Sequence, residues 1–160
     1  PDLEADRAGE YLTDRLTDAA EAFVSAQREE PFLLVLSHYA VHTPLQAPEE
    51  IVSHYRAKAA GMGEATEDDY REERGASTKL RQDNPTYAAM IERTDDSVER
   101  VLRALEDEGI LDETIVVFLS DNGGLSTLAR RGPNQATSNE PLRSGKGWLY
   151  EGGIRSPFII

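Results

Sequence analysis

The sequence predicts an α/β fold in which helices cover a largely parallel sheet. Two apolar runs of strand length, 31–39 (PFLLVLSHY) and 114–120 (TIVVFLS), lack the polar and apolar alternation of a strand with one wet face. Segments with apolar residues at helical spacing lie before and between these runs. Helices that alternate with wholly apolar strands are typical of α/β sheets with parallel pairs.

The elements up to the middle of the chain follow from spacing and composition. A helix is predicted over about Tyr11 to Gln27, where apolar residues recur on one face. After the first apolar run, the proline-punctuated segment 41–58 predicts a turn and a short helix. Segment 59–84 is charged and has no apolar periodicity, so it is predicted to be an exposed loop.

The helix that follows Asn84 has signals at both ends. Asn84 is a favoured N-cap residue, Pro85 suits the first helical position, and Gly109 lies where a C-terminal cap is expected. The last residues, 156–160 (SPFII), predict the start of a third strand. Because exposed apolar strand edges are rare, an apolar strand that ends with the chain indicates that the 160 residues are a piece of something longer.

Composition excludes several classes of partner and chemistry. A formal net charge of −13 disfavours binding to nucleic acid or to an anionic membrane surface. No apolar run approaches the roughly 18 residues of a membrane-spanning helix. The chain contains no cysteine, which excludes disulfides, thiolate metal sites and a cysteine nucleophile among these residues.

An acid and an amide directly follow the second apolar strand, in the sequence FLSDNGG (118–124). Asn-Gly pairs usually form tight hairpins, but no second strand follows at once. Ligands in open α/β sheets bind at the carboxyl ends of strands. Asp121 and Asn122 offer the oxygen ligands that calcium or magnesium prefers, and a solvated Asx turn is the alternative that these residues leave open.

Lysine is scarce in this chain, and one lysine lies between two glycines. The 17 basic residues include only three lysines, of which Lys146 stands between Gly145 and Gly147. A phosphate-binding P-loop is excluded, because Glu140 and Gly147 occupy positions that require a glycine and a Ser or Thr. Lys146 is predicted either to place a point charge on an anion or to be a solvated loop residue.

Three histidines are available for acid-base or anion-binding roles. His42 precedes Thr43-Pro44, and the proline is expected to hold this segment extended. We interpret His42 as a loop residue that donates to an anionic oxygen or protonates a leaving group. His38 is expected to pack or hydrogen-bond at the end of the first strand, and His54 to lie on a helix surface.

Three consecutive blocks of the chain resemble a known family. They are PFLLVLSHYAVHTPLQAP (31–48), YAAMIERTDDSVERVLRALEDEGILDETIVVFLSDNGG (87–124) and LRSGKGWLYEGGIRSPFII (142–160). In this order they resemble the sulfatases, the arylsulfatase branch of the alkaline-phosphatase-like superfamily. The resemblance covers nearly the whole chain except the segment 59–84.

The resemblance implies an alkaline-phosphatase-like sandwich that contributes part of a sulfuric ester hydrolase site. The substrate would be a small-molecule or carbohydrate sulfate ester, cleaved with a metal ion and a formylglycine nucleophile. Asp121 and Asn122 match metal ligands of the family, usually for calcium, with magnesium as the alternative. His42 and Lys146 match residues that contact the sulfate group.

One departure from the family pattern concerns the nucleophile. Sulfatases make formylglycine from a C-x-P-x-R or S-x-P-x-R segment, and the nearest match here, 139–143 (NEPLR), has Asn139 at the first position. We therefore expect the nucleophile to lie outside this chain and the isolated 160 residues to be inactive. The alternatives are a phosphomonoester or phosphonate hydrolase of the same superfamily and a non-catalytic domain that binds sulfated ligands.

Overall fold

The structure, a computed structural model, describes residues 9–160. In this range the α-helices are α1 (Leu12–Gln27), α2 (Glu49–Ala60), α3 (Pro85–Asp107) and α4 (Glu151–Ile154). The strands are β1 (Tyr70–Glu73), β2 (Ala76–Lys79), β3 (Phe118–Leu119), β4 (Thr127–Leu128) and β5 (Phe158–Ile159). The mixture of helix and sheet agrees with the predicted α/β class.

The long helix α3 forms the centre of the helical part, as its capping signals predicted. The Asn84 side chain accepts a hydrogen bond of 3.0 Å from the backbone N–H of Tyr87. At the other end, Gly109 has a φ of +72°, a conformation that glycine adopts without the penalty of a Cβ. Both α1 and α2 pack against α3. The predicted helices at 11–27 and after Asn84 are therefore confirmed.

The contact between α1 and α3 combines apolar and polar groups. Val24 and Ala89 are fully buried in the helical core. Beside them, the Thr17 hydroxyl donates to the Ser97 hydroxyl at 2.6 Å, and His38 Nε2 lies 3.0 Å from the same Ser97 oxygen. His38 therefore connects the segment 31–39 to both helices, in agreement with its expected structural role.

Two small sheets complete the fold. β1, β2 and β4 form a three-stranded sheet in that order, and β3 pairs with β5. Each pairing within residues 9–160 is antiparallel, so the predicted parallel pairs are not found there. In the first sheet Thr78 lies opposite Thr127, and their hydroxyl groups are 2.8 Å apart.

The segment 59–84, predicted to be an exposed loop, is instead partly a buried hairpin. Its residues 61–68 are exposed, but β1 and β2 form a hairpin, and all four residues of β2 are buried. Burial is possible because the polar groups of β2 have partners. Lys79 bonds Asp83, and the Ser77 carbonyl accepts from the Gln135 side chain at 2.6 Å. The segment was predicted to be a loop because it lacks apolar periodicity, but β2 is buried through hydrogen bonds of its polar groups instead.

The two apolar runs are more exposed than predicted, and within the described residues 31–39 forms no strand while the second run forms only β3. In 31–39 alternate side chains face outward, with Leu33 85% and Val35 73% exposed. In the second run Ile115 is 83% exposed. Within the described residues only one face of each run is covered, so the predicted burial on both faces is wrong for this part of the structure. No helix between residues 9 and 160 is both long and apolar enough to cross a lipid bilayer.

The burial of His38 predicts a pH dependence of stability. Burial lowers the pKa of His38 in the folded protein, so the unfolded chain binds the proton more readily. The contribution of neutral His38 is present above its ordinary pKa of about 6.5 and is lost as the pH falls below it. We expect the melting temperature to fall between pH 7.5 and 5.5, and the fall to be smaller in His38→Gln, which hydrogen-bonds without titrating.

The matched control is His54→Gln, because His54 is exposed on α2. Thermal unfolding followed by circular dichroism at each pH measures the effect. Parallel pH profiles for the wild type and His38→Gln would contradict a buried neutral His38.

Candidate functional site

The first part of the candidate site is the loop that leaves β3, which we call the strand-end loop (residues 120–126). The Ser120 hydroxyl donates to the carbonyl of Asn122 at 2.9 Å and tightens the turn. Asp121 is exposed and Asn122 half-buried. Among residues 9–160 the Asp121 carboxylate has no hydrogen bond or ion pair, whereas an Asx turn would have it accept from a nearby backbone N–H. Its oxygens are therefore free for a ligand.

The second part is the segment around Lys146, which we call the lysine loop (residues 143–147). The backbone N–H of Lys146 donates to the carbonyl of Gly124 at 3.0 Å, so this loop lies directly on the strand-end loop. Lys79 is paired with Asp83, and Lys58 lies 5.9 Å from the centre of the Tyr55 ring. In the part of the chain that the structure describes, the Lys146 ammonium has no such partner.

Glycines allow the two loops and α4 to touch through their backbones. The N–H of Gly123 donates to the Gly153 carbonyl at 3.0 Å. A Cβ on Gly123 would lie 1.7 Å from the carbonyl oxygen of Gly152, and a Cβ on Gly145 would lie 2.4 Å from that of Gly124. Since real Cβ atoms do not approach backbone this closely, only glycine fits these positions. Asp121, Asn122 and Lys146 are thereby carried by one rigid backbone unit.

His42 lies in a turn after the first apolar run rather than in an extended segment. Its backbone N–H donates to the Tyr39 carbonyl at 2.9 Å, which closes a turn at the start of the proline-punctuated segment for which a turn was predicted. The exposed imidazole donates from Nδ1 to the Thr43 carbonyl at 2.7 Å. This bond leaves Nε2 open to a ligand. Within residues 9–160 no hydrogen bond joins His42 to the strand-end loop or the lysine loop.

Sequence reasoning missed two residues that build the site. Asn139 was considered only for its place in NEPLR, yet its side chain lies between the two loops. Arg143 makes a two-point ion pair with Glu73, at 3.0 and 2.7 Å, and its guanidinium lies 3.8 Å from the Tyr150 ring. No local sequence pattern reveals these two roles, because Asn139 bonds Gly124 and Arg143 bonds Glu73, and each pair is far apart in the sequence.

The oxygen atoms at the strand end suit a calcium ion in part. A carboxylate and a neighbouring amide, neither engaged within the described residues, are hard ligands of the kind calcium prefers. Residues 9–160 contain no cluster of three or more acidic, His or Cys side chains that could hold a metal. Because calcium takes about 6–8 oxygen ligands, Asp121 and Asn122 could supply only a share of them.

Within residues 9–160, this α/β protein carries a carboxylate and an ammonium without ion-pair partners on two loops that meet through their backbones. The Sulfatase family model matches residues 2–160, and the chain belongs to the sulfatase family. The resemblance seen in the sequence blocks is thus confirmed.

Relatives and solved structures agree with this assignment. The chain is 34% identical over 160 residues to a sulfatase of Formosa agariphila, covering 94% of this chain and 24% of that protein. It is 36% identical over 159 residues to the steryl-sulfatase of Mus musculus, covering 98% of this chain and 21% of that protein. The chain spans about a quarter of the length of these relatives.

The fold also matches a solved structure. The crystal structure of Ps i-CgsB in complex with k-i-k-neocarrahexaose superposes with a TM-score of 0.70 at 30% identity, over 98% of this chain and 29% of that chain. The predicted fold class, a partial alkaline-phosphatase-like domain, is confirmed by this agreement.

The backbone contact at Gly123 predicts a large effect of a single methyl group. Gly123→Ala places its Cβ against the Gly152 carbonyl, so the strand-end loop and α4 must separate. We expect a loss of at least about 2 kcal/mol in the free energy of unfolding. Urea denaturation measures this loss.

Gly132→Ala is the matched control, because a Cβ at Gly132 would meet nothing within 4 Å. This control is expected to be unchanged or more stable by about 0.5 kcal/mol. Equal stabilities for the two variants would show that the glycine contacts do not constrain the site.

Proposed function

We propose that these residues form part of the active site of a sulfuric ester hydrolase with arylsulfatase-like activity. Membership of the sulfatase family supports the reaction class. The observation that carries the proposal is the 3.0 Å bond between the Lys146 N–H and the Gly124 carbonyl. This bond holds the loop of Lys146 on the loop that carries Asp121, and within residues 9–160 neither charged group has an ion-pair partner, as a site for an anion and a cation requires.

Lys146 and His42 would bind the sulfate group and stabilise its charge. An ammonium is a compact point charge that interacts with any sulfate oxygen. The His42 ring is held through Nδ1 by the Thr43 carbonyl, so Nε2 is directed away from that bond and is available to the substrate. With a proton on both ring nitrogens, it would donate from Nε2 to an anionic oxygen or protonate the leaving group. Donors fixed in advance stabilise charge that develops as the S–O bond breaks.

Asp121 and Asn122 would hold a metal ion, with calcium expected and magnesium the alternative. When bound, such an ion neutralises negative charge on the sulfate oxygens. The other ligands would come from residues outside the described part of the chain, from water or from substrate. We expect a formylglycine nucleophile, characteristic of the family, from residues outside these 160.

The substrate class follows from the relatives only in outline. The mouse relative is a steryl-sulfatase, and the superposed structure holds a neocarrahexaose. Both are compatible with a small-molecule or carbohydrate sulfate ester, and nothing in the two loops selects between them. Family membership disfavours the phosphomonoester or phosphonate alternative. A non-catalytic binding domain would retain sulfate binding and show no turnover.

Removal of the Asp121 carboxylate is expected to abolish calcium binding and activity together. In the full-length enzyme, Asp121→Ala deletes the anionic oxygens of the strand-end loop, and the neutral Asn122 amide is a weaker ligand. Isothermal titration with calcium measures the affinity. Asp112→Ala is the matched control, because Asp112 is equally charged and exposed but lies in a turn before the second apolar run. Unchanged calcium affinity in Asp121→Ala would remove Asp121 from the metal site.

Substitution of Lys146 tests the sulfate-binding role and the reaction class. Lys146→Ala is expected to lower kcat for an aryl sulfate by about 10²–10³-fold, as the loss of one charge-stabilising donor typically does. Lys146→Arg should recover little, because the planar guanidinium needs more space and presents its charge differently. Lys58→Ala, which removes an exposed lysine of α2, is the control.

The same assays on an aryl phosphate distinguish the hydrolase alternatives. Turnover of the phosphate but not the sulfate would favour the phosphomonoester hydrolase. Turnover of the sulfate by Lys146→Ala within about threefold of wild type would place Lys146 outside the site.

A further inference from the structure

We propose that Asn139 is a positioning residue that fixes the lysine loop relative to the strand-end loop. The proposal rests on the function proposed above, since it assigns Asn139 the task of holding Lys146 at a set distance from Asp121 and Asn122. The Asn139 side chain would act through backbone atoms of both loops and would not touch the substrate.

One side-chain amide satisfies backbone groups on both loops. Asn139 Oδ1 accepts from the Gly124 N–H at 3.0 Å, and Nδ2 donates to the Gly124 carbonyl at 2.9 Å. Nδ2 also lies 3.0 Å from the Ser144 carbonyl and 3.0 Å from the Ser126 hydroxyl oxygen. The partners fix the orientation of the amide, because an N–H can only donate to Oδ1 and a carbonyl can only accept from Nδ2.

These bonds act close to the proposed ligand-binding side chains. Gly124 lies two positions after Asn122, and Ser144 two positions before Lys146. The Gly124 carbonyl accepts from Asn139 and also from the Lys146 N–H at 3.0 Å. A change at Asn139 is therefore transmitted to Lys146 through a single shared carbonyl oxygen.

Ser144 has the least favourable backbone conformation among the non-glycine residues of the lysine loop. It is buried and has a φ of +59°, a conformation uncommon for residues other than glycine. Its carbonyl accepts hydrogen bonds from Asn139 Nδ2 and from the Ser126 hydroxyl, both at 3.0 Å. Because this backbone conformation is disfavoured, the loop is expected to relax when the bonds are removed.

Asparagine fits this position in size as well as in hydrogen bonding. A Cβ on Gly145 would lie 2.8 Å from Asn139 Nδ2, and one on Gly124 would lie 3.0 Å from Oδ1. The amide thus packs closely against two glycines. Its oxygen and nitrogen are both engaged by the protein, which excludes Asn139 as a group that reacts with substrate.

The test compares Asn139→Asp and Asn139→Ala in the full-length protein. Asn139→Asp retains an acceptor for the Gly124 N–H but directs a second carboxylate oxygen at the Gly124 and Ser144 carbonyls. We expect amide hydrogen exchange in residues 121–126 and 143–147 to become at least about tenfold faster in both variants. Calcium affinity should weaken, and kcat for an aryl sulfate should fall by about 10²-fold, as small displacements of positioned groups can cause.

Thr17→Val is the control for a purely structural effect. It removes the buried Thr17–Ser97 hydrogen bond between α1 and α3 and touches neither loop. All proteins are compared at a temperature at which each is fully folded. If Asn139→Ala does not fold, Ser126→Ala gives a milder test, because it removes the Ser126 bonds to Asn139 and Ser144 and should show a smaller change of the same kind.

The outcomes separate this inference from the proposed function. Exchange rates and calcium affinity equal to those of the wild type would overturn the role of Asn139, as would an equal loss of kcat in Thr17→Val. Absence of sulfate turnover in the wild type would overturn the proposed function, and the exchange rates would still decide whether Asn139 fixes the two loops. Faster exchange confined to residues 121–126 and 143–147 supports the inference.

Discussion

The direct contact of backbone with backbone around Gly123 and Gly145 is the constraint on which the rest of the site depends. A Cβ at either position would lie within 2.4 Å of a carbonyl oxygen, so the loops can meet only where side chains are absent. Contacts between main-chain atoms vary little with side-chain conformation. Asp121 and Lys146 are therefore positioned by a frame that does not use their own side chains. Within residues 9–160 neither charged group has an ion-pair partner, so the proposed site would have a rigid backbone and still be open to ligands.

Other parts of the fold hold this frame in place. The hairpin of β1 and β2 reaches the lysine loop through the ion pair of Glu73 with Arg143, and the Arg143 guanidinium also lies 3.8 Å from the Tyr150 ring. At the other edge of the hairpin, β2 pairs with β4, and β4 directly follows the strand-end loop. The hairpin within segment 59–84, which was predicted to be an exposed loop, thus contacts the lysine loop through β1 and the strand that follows the strand-end loop through β2. The burial of the polar residues of β2 is consistent with this connecting role, because their side chains have partners on other elements, namely Arg131 for Ser77, Thr127 for Thr78 and Asp83 for Lys79.

Local signals in the sequence predicted some of these features, and nonlocal contacts account for the rest. The α3 helix could be predicted because Asn84, Pro85 and Gly109 act on their immediate neighbours. Lys146 could be identified because lysine is scarce and its neighbours are glycines. The burial of β2 could not be predicted, because its hydrogen-bond partners lie on other elements. The role of the Asn139 amide could not be predicted either, because it bonds backbone groups of two loops that meet only in the folded protein. His42 was correctly placed in a loop, and the prolines predicted a turn, but a backbone bond to Tyr39 takes the place of the extended segment expected before Pro44.

The lysines differ in how they are paired within residues 9–160. Lys79 is buried and pairs with Asp83. Lys146 is half-buried and has no ion pair or side-chain hydrogen bond in this range, although its backbone contacts the loop that carries Asp121. Because a half-buried charge stays in contact with water, it does not need a carboxylate partner. The proposed site uses this difference, since an ammonium without a partner can bind an anion and a carboxylate without a partner can contribute to a cation site.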